Sequence, residues 1–367
     1  MKKSFLTFTL SLLLIQGLIA QDQDTTMTFE EYEPVSTLVV PGERITEAKY
    51  PFVDMHSHLW RMASMDLKQV AGEMNRLNMK VLVNLSGGSG ETLKAMVKAA
   101  EKQAPGRFIV FANIDFDNID KPGWTEKTVA QLEEDYQNGA RGLKIFKNLG
   151  LTVLDSKGNR VPTDDPRIDP VWAKAGELGM PVLIHTGEPA VFWAPIDEKN
   201  ERWLEMKQFP DRHRGDSSRY PSWEVVMQEQ WNVFKKHPET TFINAHFGWM
   251  ANDLARLGAH LDEFPNVYTE FAAVIAELGR QPRFAQEFFI KYQDRILFGK
   301  DTYRPVEFHT YFRVLESDDE YFDYFRKRHA FWKMYGLNLP DEVLEKVYYK
   351  NALKILPGID ESLFETN

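Results

Sequence analysis

Apolar, β-branched residues recur along the chain in short runs separated by longer stretches of mixed polarity. The runs are Pro51–His58, Lys80–Leu85, Arg107–Ile114, Gly142–Phe146, Pro181–His185, Thr240–Ala245, Asn266–Phe271 and Arg295–Gly299. Their length and composition predict buried strands. Between them, Leu93, Met96, Val97 and Ala100 follow the i, i+3, i+4, i+7 spacing of a helix with one buried face. Val129, Leu132 and Tyr136 repeat that spacing weakly, and Trp223, Val226, Met227, Trp231 and Phe234 repeat it strongly. Strands alternating with helices predict right-handed βαβ units and a parallel sheet. Eight such units over residues 51–357 predict a closed (β/α)8 TIM barrel forming one catalytic domain. Asp341–Leu356, opened by Pro340 and stopped by Pro357, reads as its closing helix.

Two connections are too long to be simple turns. Residues 187–221 follow the fifth strand and residues 302–338 the eighth, and both are rich in aromatic residues and arginine. Long loops in compact domains usually carry function. In a barrel both would rise from the C-terminal face, where such enzymes place their active sites. The Gly87-Gly88-Ser89-Gly90 run lacks the Lys-Ser/Thr ending of a phosphate-binding loop and reads as a βα turn.

The ends of the chain and its charge narrow the picture. Lys2 and Lys3 precede an apolar stretch from Phe5 to Ile19, and Ala20 closes it, the pattern of a secretory signal peptide over residues 1–20. The expected protein is therefore exported, to the periplasm or beyond. Residues 21–50 are polar and acidic and read as an extended N-terminal segment. Loss of the two lysines takes the formal charge from −10 to −12. So acidic a chain is a poor ligand for nucleic acid or anionic membranes, which leaves a small-molecule substrate as the expected partner, with a homodimer as the expected form of any assembly. There are no cysteines, so any metal must be held by His, Asp, Glu or Lys.

Such residues stand at the strand ends. The first strand closes on Asp54-Met55-His56-Ser57-His58, the fifth on His185, the sixth on His246 and the eighth on Asp301. Imidazoles and a carboxylate converging at one barrel face make a transition-metal site. Asp54 is open to either an outer-shell or a purely structural role. The motifs Asp54-x-His56-x-His58, Ile184-His185-Thr186, Asn244-Ala245-His246 and Leu297-Phe298-Gly299-Lys300-Asp301 resemble, in order, those of the amidohydrolase superfamily. The similarity is to its amidohydrolase-related (amidohydrolase 2) group, which includes aminocarboxymuconate-semialdehyde decarboxylase. The resemblance implies that His56, His58, His185 and Asp301 bind one divalent metal, zinc before manganese. It also implies that His246 stands beside them to orient or deprotonate an activated water, with Asp301 as the second catalytic residue. Lys300 departs from the family, whose members more often carry Ser or Thr there.

Lys144 alternates with Leu143 and Ile145 and would point into the barrel, to hold a second metal, contact substrate or pair with a barrel carboxylate. Trp60, Arg61, Glu188 and Arg304 immediately follow candidate ligands and are candidate substrate contacts, the arginines for a carboxylate. The expected activity is hydrolysis of a small, carboxylated ester, lactone or amide. The alternative is metal-dependent, non-oxidative decarboxylation of an aromatic or unsaturated acid. A binding protein on the same barrel ranks third.

Overall fold

A computed structural model describes residues 26–39 and 44–365. The segment read as a signal peptide lies outside them. Residues 26–39 belong to a small unit of their own and are almost wholly exposed, with one turn in which Thr28 donates to the Glu31 carboxylate.

The main unit is a parallel barrel. Its strands are β1 Phe52–Ser57, β2 Met79–Asn84, β3 Phe108–Val110, β4 Ala112–Asn113, β5 Leu143–Ile145, β6 Val182–Ile184, β7 Phe242–Asn244, β8 Val267–Glu270 and β9 Ile296–Leu297. The third expected strand is thus split into β3 and β4, which join different runs of pairing, β1-β2-β3 and β4 through β9. Backbone bonds close the ring at both seams. Met55 donates to the Phe298 carbonyl (2.9 Å) and Arg141 to that of Val110 (3.1 Å), and Ser57 bridges to Asp301. Phe52 and Phe298, with ring centroids 4.8 Å apart, pack at the β1–β9 seam among Phe308, Phe312 and Tyr348.

Alternation divides the core in two. Val53, Met55, Val83, Phe111, Leu183 and Ile243 fill the barrel, with Leu356 and Phe364 of the C-terminal segment in the same cluster. The opposite strand faces, such as Phe52, Leu82, Leu143 and Val182, pack with residues of the surrounding helices. Gly142 is required here, because a Cβ would sit 2.3 Å from the Phe111 ring. The helices expected around Leu93, Leu132 and Trp231 run over Gly90–Gln103, Trp124–Gln137 and Trp223–Lys236. The closing helix spans Asp341–Ile355 with a π turn at Lys346–Lys350, and within that turn the Val347 carbonyl accepts from Phe298.

One expectation needs correction. Much of the supposed loop 302–338 is a regular helix, Pro305–Glu316, whose Phe308, Tyr311, Phe312 and Leu315 are buried. Its aromatic residues keep helical spacing behind a proline at the first turn, so they pack inward rather than forming a lid. The remainder folds into a small antiparallel pair, β10 Phe322–Asp323 with β11 Lys333–Met334. Residues 187–221 hold only the short helix Trp203–Gln208 and two 3-10 turns. Among the described residues, no helix is long and apolar enough to cross a membrane.

Candidate active site

The strand ends bring four histidines and two carboxylates together. The Asp301 carboxylate lies 3.5 Å from His56 Nε2 and 3.6 Å from His58 Nε2, and these three ligand atoms form one compact group. His246 packs on His56 with centroids 4.8 Å apart and on His185 at 4.3 Å. His185 stands outside the compact group, beside His246.

Hydrogen bonds fix which nitrogen carries the lone pair in His56, His246 and His185. Burial holds His56, His185 and His246 well below the ordinary histidine range, so each is neutral with one N–H. His56 Nδ1 meets a carboxylate oxygen of Glu270 at 2.8 Å and must donate, which leaves its Nε2 lone pair facing Asp301. His246 Nδ1 donates to the Ala272 carbonyl (2.7 Å), so its Nε2 can only accept, and it does so from His185 Nδ1 at 3.2 Å. His185 then keeps its lone pair on Nε2. Both His56 Nε2 and His185 Nε2 are buried without a hydrogen-bond partner, an arrangement that costs stability unless something binds them. His58 Nδ1 is occupied by Ser86 at 2.7 Å, which leaves its Nε2 for the site. This donor set fits a divalent cation.

A second group, His56, His246 and Glu270, is equally compact but is already satisfied. One Glu270 oxygen accepts from His56 Nδ1 and from the His246 backbone (2.9 Å), and the other accepts from the Ala272 backbone (2.6 Å). Glu270 orients a ligand rather than being one. Its approach depends on Gly299, where a Cβ would fall 2.5 Å from its carboxylate. His246, Phe247, Gly248 and Trp249 all have φ near +55°, a left-handed turn that costs L-residues about 1–2 kcal/mol each. That strain sits where His246 must leave its strand to meet His185. Asp301 is also left-handed, at φ 84°.

A family model described as Amidohydrolase matches residues 38–358. This chain belongs to the amidohydrolase family. No curated protein matches it significantly. Solved structures show the barrel at low identity. An uncharacterised TIM-barrel protein from Bordetella bronchiseptica is 16% identical with a TM-score of 0.51, covering 83% of this chain and 98% of its own. A 2,6-dihydroxybenzoate decarboxylase complexed with 2,6-dihydroxybenzoate is 14% identical with a TM-score of 0.50, covering 86% and 100%. The chain is therefore a metal-dependent enzyme on a (β/α)8 barrel, in a family that generally uses a divalent metal.

Other expected residues of this amidohydrolase fall in different places. Lys144 pairs in register with Leu183, so it faces the barrel interior as its alternation requires. Its Nζ is buried without a hydrogen-bond partner, and burial pulls the ammonium down to about 7 against the pull of Glu270 and Asp301. Asp54 bonds to two backbone N–H groups and a serine hydroxyl rather than to imidazole. It accepts from His56 N (3.2 Å), Ser57 Oγ (3.0 Å) and Lys300 N (3.0 Å), which ties β1 to β9, and burial pushes its carboxyl up to about 7. Trp60, 64% exposed, stacks on His58 and Phe146. Glu188 lines the cleft and binds Lys147 at 2.5 Å. Arg304 lines it too, with a largely exposed side chain 3.9 Å from Glu307. Arg61 is exposed, and its backbone carbonyl accepts from Ser64. Among the described residues, no hydrogen bond or ion pair carries its guanidinium to the site.

Sequence reasoning missed Glu270, although a carboxylate ending a β-branched strand was the available signal. Arg202 and Arg212 stand in the arginine-rich 187–221 connection expected to carry function, and sequence reasoning missed Arg326 and Arg328, which line the same cleft from the other long connection. No motif marks them.

Proposed function

We propose that this amidohydrolase cleaves a small ester, lactone or amide by adding water, with His56, His58, His185 and Asp301 holding a single divalent metal, zinc before manganese. The observation that carries the reading is the His56 and His58 nitrogens facing the Asp301 carboxylate, with His185 beside His246 offering a second buried, unpartnered lone pair at the same cleft. A divalent ion supplies Lewis acidity there, polarising a carbonyl and making water acidic near neutrality. Asp301, with about a third of its side chain open to the cleft, takes the proton of the attacking water and returns it to the leaving group. His246 has a revised role, because its only lone pair is spent on His185. It fixes that ring's tautomer instead of carrying the nucleophile's proton. Lys144, pulled down to about 7 by burial, lies beside Glu270 and Asp301 at the site's inner side and offsets their charge when protonated. A one-metal centre is favoured because, in the second group, His56 Nδ1 and His246 Nε2 are engaged by Glu270 and His185, and the remaining His56 lone pair faces Asp301. The Lys2-Lys3 start and the apolar Phe5–Ile19 support export.

The same residues would serve decarboxylation, a reading favoured by the basic cleft, which suits an acid as substrate. Metal analysis of the purified chain should return close to one divalent ion, and a turnover screen on that preparation should release acid from lactones, esters or amides. Carbon dioxide release from aromatic acids, with no hydrolysis, replaces the first reading by the second. A preparation that takes up no divalent ion sinks both.

A further inference from the structure

The cleft holding His185, His246 and Asp301 has a volume of about 310 Å³, at the small end for a ligand site. Six arginine and lysine side chains line it against three carboxylates, and one of those carboxylates, Asp301, is already assigned to the metal. Another, Glu188, binds Lys147 at 2.5 Å, Glu277 behind the wall pairs with Arg202 at 2.8 Å, and two further acids act as shared anchors. Glu205, buried, serves Arg202 (2.8 Å), Arg212 and His329 (3.3 Å) together. Glu307, also buried, serves both Lys300 and Arg326, the latter at 3.0 Å. Each anchor is thus shared among several cations. It fixes their positions while leaving a surplus of positive charge.

Arg328 stands apart in this wall. Its guanidinium lies over the Phe209 ring at 5.1 Å, which occupies one face. Among the described residues, its Nε is buried with no hydrogen-bond partner. Burial and the neighbouring Arg326 guanidinium push its pKa down, the signature of a cation short of an anion. A guanidinium edge matches the two oxygens of a carboxylate or phosphoryl group, and neighbouring arginines add to the attraction.

We propose that Arg328, with Arg212 and Arg326, forms an oxyanion-binding subsite that holds an anionic group of the substrate away from the bond being broken. The inference rests on the metal-centred reading above only for which end of the substrate reacts. It makes the substrate class a small organic acid that bears the ester, lactone or amide at one end and a free oxyanion at the other. The subsite residues come from the connections after β6 and β9, so specificity for the charged end is separate from the barrel strands that carry the ligands.

The test is calorimetric titration of the full chain, with metal content measured on the same preparation, using succinate, inorganic phosphate and neutral succinamide. The wild type should bind an oxyanion probe and ignore succinamide, and the tighter of the two anions identifies the group as carboxylate or phosphoryl. Arg328→Gln should weaken that binding about 10- to 100-fold, the worth of a charge-assisted pair, at an unchanged melting temperature. Arg328→Lys should recover only part of it, since charge returns without the fork. If Arg328→Gln does not fold, Arg212→Gln carries the same expectation. Equal binding of succinate and succinamide, or wild-type affinity in the glutamine variant, overturns the subsite. Arg328-dependent binding in a chain that takes up no metal leaves the subsite standing and removes the metal-centred reading; a metal-loaded chain indifferent to Arg328 does the reverse.

Discussion

Around His56 the buried groups are neutral imidazoles whose lone pairs suit a cation. Around Arg328, in the same cleft, the groups are charged, and cations outnumber the acids that anchor them. Both regions are incomplete alone, but with opposite sign. The first is built on strand ends and buried hydrogen bonds, so its geometry is set by the barrel. The second hangs on shared salt bridges in long connections, so its geometry is set by a few carboxylates. A substrate that reacts at one and is held at the other would complete both.

The sharpest way to break this comparison is at the carboxylate facing both histidines. Asp301→Ala should lose metal and lower turnover by at least about 10²–10⁴-fold, since a ligand and the proton acceptor go together. Metal analysis and kcat on one preparation check it, and retention of both would remove Asp301 from the centre. Next comes the support behind His56. Glu270→Gln should weaken metal affinity about 10- to 100-fold while the fold persists, measured by competition with a chelator. Gly299→Ala should act in the same direction, because its Cβ meets the Glu270 carboxylate at 2.5 Å. Smaller again is His246→Ala, which frees the His185 tautomer and should cost metal affinity toward the tenfold end of that range. Full metal affinity with a collapsed kcat would instead make His246 the carrier of the nucleophile's proton. Least of all, Arg61→Gln should leave turnover unchanged and stability within about 0.5 kcal/mol by thermal melt, because its side chain is exposed and unanchored. A large loss of turnover there would extend the basic wall to the first loop.

The barrel was legible because each strand announces itself locally. A run such as Val81-Leu82-Val83 alternates between the filled interior and the helix layer, and that period needs no partner to be seen. His56, His58, His185, His246 and Asp301 were legible for a related reason: parallel strands all end at one face, so residues at strand ends must converge. The helix Pro305–Glu316 was lost among its aromatics, and the β3–β4 break at Phe111 is a property of sheet closure rather than of local preference.

The sequence by itself thus determined the (β/α)8 architecture and the residue types at the rim, which follow from period, order and spacing, and its motifs carried the resemblance to the family. Only the tertiary structure decided which nitrogen of each imidazole is free, that Glu270 backs His56, that His246 is engaged by His185, and that Arg61 stays outside while Arg328 comes in. Those outcomes depend on contacts between segments far apart in the chain, such as the 214 positions separating His56 from Glu270. Hydrogen-bond direction and charge pairing are properties of the meeting of two groups, and neither group carries them alone.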